Sequence, residues 1–149
     1  QLAAAFECIG RVGHDATGSA PGKMMMALGS PELDGPYGCN VGFLRDDALL
    51  FVTLIHIGGD GASPYNPLVW ANSLKATKGD DPDAIFMLGF LSDGEPILCP
   101  WADGGGQFED FVSYFEHSLL RSVCLPNYAP DFAQAATTAL DLCAPPVPE

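Results

Sequence analysis

The side chains of this sequence with most chemistry available to them are five cysteines, Cys8, Cys39, Cys99, Cys124 and Cys143, and the imidazoles of His14 and His56. The cysteines are dispersed, with no CxxC or CxxxC pair, which argues against a zinc ribbon, a redox motif or haem attachment. Dispersed cysteines fit disulfides formed in an oxidising compartment. Their odd number leaves one thiol unpaired within the chain or paired outside it. His14 is followed by Asp15, and His56 is followed shortly by Asp60. Imidazole nitrogens joined by carboxylates form a donor set that suits Zn²⁺ or Cu²⁺. The ordinary alternative is that both imidazoles hydrogen-bond loop carbonyls.

Other motifs are weaker. Asp80, Asp81 and Asp83 could suggest a calcium cluster, but the glycine and distal bidentate glutamate of an EF-hand are missing, and a solvated turn is the simpler reading. Gly58-Gly59-Asp60-Gly61 and Gly104-Gly105-Gly106 lack the Walker lysine and the Rossmann spacing of a phosphate cradle, and read as loops. No serine sits in a G-x-S-x-G elbow, and spacing alone reveals no Ser, His and Asp arrangement. Triad members are often remote in sequence, so a hydrolase is weakened without being removed. Met24-Met25-Met26 offers a soft-metal or docking patch, with core packing of a short helix as the ordinary explanation.

The elements that must position these residues follow from hydrophobic patterning. The stretch from Ala48 to His56 is an almost unbroken apolar run rich in β-branched and aromatic residues, the pattern of a strand buried on both faces. Ala84 to Leu91 has the same character and predicts a second central strand. Between them, Asn66 can cap a helix, Pro67 suits its first turn, and Lys78 with Gly79 closes it. Strand, helix and strand at this spacing form a right-handed βαβ unit with parallel strands. A third unit places Phe108, Phe111 and Phe115 on one helical face, followed by a short strand from Leu120 to Cys124. A final helix begins at Pro130 and carries Phe132, Ala136, Ala139, Leu140 and Cys143 along one stripe. The amino-terminal part predicts a short strand over 7–12, a loop over 14–22, a short helix over 23–28, and loop over 30–42. The fold class is thus α/β, with a mainly parallel sheet flanked by helices, in one domain over 1–144 with a proline-rich tail over 145–149.

Composition narrows the possible functions. The 149 residues are 48% hydrophobic and 17% charged, which supports a folded core rather than disorder. A net charge of −13 repels phosphate backbones and anionic lipid, so nucleic acid is not an expected partner. The longest apolar runs are about half of the roughly 20 residues that a membrane-spanning helix needs. No signal-peptide pattern is visible, and with the cysteines this favours a leader already removed and an extracellular, cell-surface or periplasmic location.

The run from Cys39 to Leu50 resembles the segment before a central strand in bacterial von Willebrand factor A-like domain lipoproteins. The helix ending Lys78-Gly79-Asp80-Asp81, the strand ending Ser92-Asp93-Gly94, the segment Ser122 to Pro130 and the terminal helix with Cys143 resemble that family's later half. Together they span roughly positions 6 to 146. The resemblance implies a scaffold for protein contact, in which a divalent metal is normally held by a DxSxS loop, a Thr and an Asp. This chain has no DxSxS. The family's first strand and helix are also missing from it. His14 stands about where the Thr is expected, and His56-Ile57-Gly58-Gly59 replaces the acidic loop, so the usual ion-dependent chemistry is not carried over.

On that resemblance His14 and His56 would lie at the carboxyl ends of neighbouring strands, where open α/β sheets commonly bind ligands. Strand polarity also suggests disulfides. Cys99 and Cys124 both follow strands, whereas Cys8 precedes one and Cys143 ends a helix returning to that rim. The expected bridges are Cys99 with Cys124 and Cys8 with Cys143, leaving Cys39 to join another chain; each needs Cα atoms within about 7 Å. The functional expectation is a non-enzymatic extracellular binding or assembly module, its sheet completed by another chain or a second copy, as in adhesion or filament formation. The alternative is a transition-metal or redox-associated module built on His14 and His56.

Overall fold

Among the described residues of the computed structural model, three parallel strands in the order β1-β2-β3 form the sheet: β1 Leu50–His56, β2 Ile85–Leu91 and β3 His117–Ser122. The structure describes residues 21–28, 30, 35–37, 41–58, 63, 66–92, 98–99 and 106–144. Helices α1 Pro21–Leu28, α2 Pro67–Ala76, α3 Gly106–Ser113 and α4 Ala129–Leu142 flank the sheet. The architecture is α/β, as the alternation of apolar runs and capped helical segments predicts. The expected strand over 7–12, the loop over 14–22 except its last two residues, and the tail over 145–149 lie outside the described residues.

Local chemistry sets most boundaries. Asn66 accepts a hydrogen bond from the Val69 amide at 3.1 Å, satisfying one of the donors that a helix start leaves unpaired, and Pro67 occupies the first turn of α2. Gly79 at φ +64° and Asp80 at φ +59° then turn the chain through left-handed backbone, and the Asp80 amide bonds back to the Lys75 carbonyl at 3.1 Å.

The two faces of the sheet are covered unequally. Helices α1, α2 and α3 cover one face, where Val52, Leu54, Met87 and Leu91 meet Trp70, Leu74, Phe108 and Phe111. Burying each large side chain of this kind contributes about 1.5 to 3 kcal/mol. Gly89 lets α3 approach, since a Cβ there would lie 3.1 Å from Val112 and 3.2 Å from Leu120. On the opposite face α4 covers β2 and β3, with Ala135 against Phe86, Leu88 and Phe90.

Three sequence expectations need correction. First, β1 lies at the edge of the sheet formed by the described strands and not at its centre. Val52 and Leu54 are buried, whereas Phe51, Thr53 and Ile55 are exposed, because α4 does not extend over them. Second, β3 starts at His117 and ends at Ser122 rather than running from Leu120 to Cys124. Pairing of His117 and Ser118 with Phe86 and Met87 draws two polar residues into the ladder. Third, the inward face of α4 is centred on Ala135, while Ala136 and Leu140 face outward. Arg121 of β3 sets that rotation: its Nε donates to Asp131 at 2.7 Å and another guanidinium nitrogen donates to Gln134 at 3.1 Å.

Candidate functional site

The carboxyl rim of the sheet, where parallel α/β folds commonly bind ligands, is tightly packed at its described positions. His56 ends β1 half-buried; its Nδ1 donates to the Gly58 carbonyl at 3.2 Å, and its ring tilts against Phe108 with centroids 4.6 Å apart. That is the loop-carbonyl role which was the ordinary alternative to metal binding. Ser92 and Ser122, just beyond β2 and at the end of β3, are both buried, and Ser122 Oγ accepts from the Cys124 amide at 3.2 Å. Cys99 and Cys124 form a disulfide here, with Cα atoms 5.8 Å apart, as strand polarity suggested. His14, Asp15, Asp60, Cys8 and Cys39 lie outside the described residues. Among the described residues no group of three or more His, Cys, Asp or Glu side chains could hold a metal ion.

The amino rim is more open. Lys78 is buried beyond the end of α2, and its Nζ donates to the carbonyls of Arg45 and Ala48, the latter at 2.6 Å. This fixes the turn that leads into β1. The predicted acidic turn is also used structurally: Asp81 accepts from the Asp83 amide at 3.0 Å, capping a 3-10 turn over Pro82–Ala84, and Asp83 pairs with His117 at 2.7 Å. Sequence reading did not single out His117. Its partner lies 34 residues away, and only strand register brings the two together.

Between these turns and the end of α4 lies a cleft of about 600 Å³. Leu49, Phe51, Ala84, Ala139 and Leu142 give it an apolar lining, and Asp46, Asp47 and Asp81 add carboxylates. Cys143, expected to bridge to Cys8, instead carries a free and exposed thiol and also lines it. Phe51 connects the cleft to the bare face of β1, where its ring stacks on Phe86 at 5.1 Å and Ile55 is 54% exposed. Ile57, just past the strand, is 55% exposed.

Such an arrangement is suited to contact. It combines apolar surface, a strand edge that no other described strand covers, and carboxylates at one end. No helix among the described residues is long and apolar enough to cross a membrane. Comparisons with protein-family models, with curated proteins and with solved structures find no match for this chain.

Proposed function

We propose that this chain is a non-enzymatic extracellular binding or assembly module whose β1 edge and adjoining face receive another polypeptide, either a different chain or a second copy. The carrying observation is β1 itself. An unpaired edge strand is normally protected by lysine, proline, a bulge or a covering element. Leu50–His56 has no Lys, Arg, Asp, Glu or Pro, and it presents Phe51 and Ile55 outward. Backbone pairing along the edge would supply affinity, and pockets for alternate side chains would supply selectivity. The Cys99–Cys124 disulfide supports an oxidising location. The likeness to von Willebrand A-like domains adds the expectation that the ligand is protein.

Hydrogen exchange combined with light scattering tests this reading. Amides on the outer edge of β1 are expected to exchange fast in the monomer and to become protected where mass increases, either with concentration or on adding a partner. Ile55→Lys, which places a charge on the bare face, is expected to remove the mass increase and leave the fold intact. Slow exchange along all of β1 in a chain that stays monomeric at every concentration would refute the proposal.

A further inference from the structure

The cleft at the amino rim narrows the choice of partner, on the premise that β1 is a docking surface. A second copy is disfavoured by charge, since each chain carries −13 and the cleft adjoining the β1 face is itself acidic. Asp83 already has a partner in His117 Nε2 at 2.7 Å, and Arg45 lies 3.5 Å from Asp47. Asp46 and Asp81 have no cationic partner among the described residues. The end of α4 adds to the same potential. Helix carboxyl ends carry partial negative charge that Lys or Arg usually offsets, but the last turn of α4 has no basic residue and contains Asp141.

We infer that the cleft and the β1 face together receive a basic polypeptide segment, in which apolar side chains alternate with Lys or Arg. The apolar side chains would lie over Phe51, Leu49 and Leu142, and the cations would meet Asp46, Asp81 and the end of α4. Continuity through Phe51 allows one extended segment to use both surfaces. Charge of this kind chooses the partner and speeds encounter more than it adds affinity.

Two fluorescent peptides of equal length, one alternating Val with Lys and the other Val with Glu, provide the test by anisotropy against the whole chain. The Val-Lys peptide is expected to bind at least about tenfold more tightly, with the preference shrinking as salt rises. Asp46→Lys combined with Asp47→Lys is expected to weaken it about tenfold. Glu109→Lys combined with Asp110→Lys changes net charge equally on the exposed side of α3 and is expected to leave binding nearly unchanged. Thermal unfolding confirms that both double variants fold. Equal weakening by the two variants would reduce the effect to overall charge and overturn the inference. Equal binding of both peptides, abolished by Ile55→Lys, would overturn the inference while leaving the docking surface standing. Failure of both peptides to bind, or indifference of both to Ile55→Lys, would remove the docking surface as well.

Discussion

Replacing Lys78 by Met isolates the link between the core and the turn that bears Asp46 and Asp47. Methionine retains most of the apolar stem, so the change removes mainly the two hydrogen bonds from Nζ to the carbonyls of Arg45 and Ala48. Hydrogen bonds from a charged donor contribute about 1.5 to 3 kcal/mol each, which gives roughly 3 to 6 kcal/mol for the pair. Two effects offset this. The ammonium no longer has to be held in a site where Lys78 is only 9% exposed, and the two carbonyls belong to an exposed and a half-buried residue, so water can reach them. A net loss of about 2 kcal/mol is expected. Urea unfolding measures it, as a lower midpoint at unchanged slope. Hydrogen exchange should accelerate over 45–48 and remain unchanged in β2. A loss below about 0.5 kcal/mol with unchanged exchange would show that Lys78 does not hold the turn.

Other substitutions probe the scaffold. In Gly89→Ala the added methyl meets Val112 and Leu120 at 3.1 and 3.2 Å. Overpacking by about 1 to 3 kcal/mol outweighs the roughly 0.4 to 1 kcal/mol gained by restricting the unfolded chain, so urea unfolding should show net destabilisation of about 1 kcal/mol. Reduction of Cys99–Cys124, whose residues are 25 apart in sequence, should cost about 3 kcal/mol through the entropy returned to the unfolded chain, read as a lower thermal midpoint with dithiothreitol than without it.

Sequence was most informative where the cause was local. Asn66, Pro67 and Gly79 mark the limits of the α2 region through capping and left-handed backbone, effects that act within a few residues. The run that became β2 is buried at every position, as its unbroken apolar character implies. An equally apolar run became β1, and nothing in its composition reveals that only one face would be covered, because coverage depends on where α4 lands. The rotation of α4 escaped pattern reading for a related reason: Arg121 holds Asp131 and Gln134, and the small Ala135 then fits against the sheet. The amino-rim cleft has no local signature. Its walls come from segments around 45–51, 81–84 and 139–143, brought together by two crossovers.

The sulfur bridge at the carboxyl rim also governs how this chain would respond to being cut. Cys99 precedes α3 and Cys124 follows β3, so that helix and strand sit inside a covalent ring. A protease that enters the ring opens it without parting the polypeptide. The nicked molecule keeps its full mass until a reducing agent is added, and an outer strand severed there stays at hand to reseat itself.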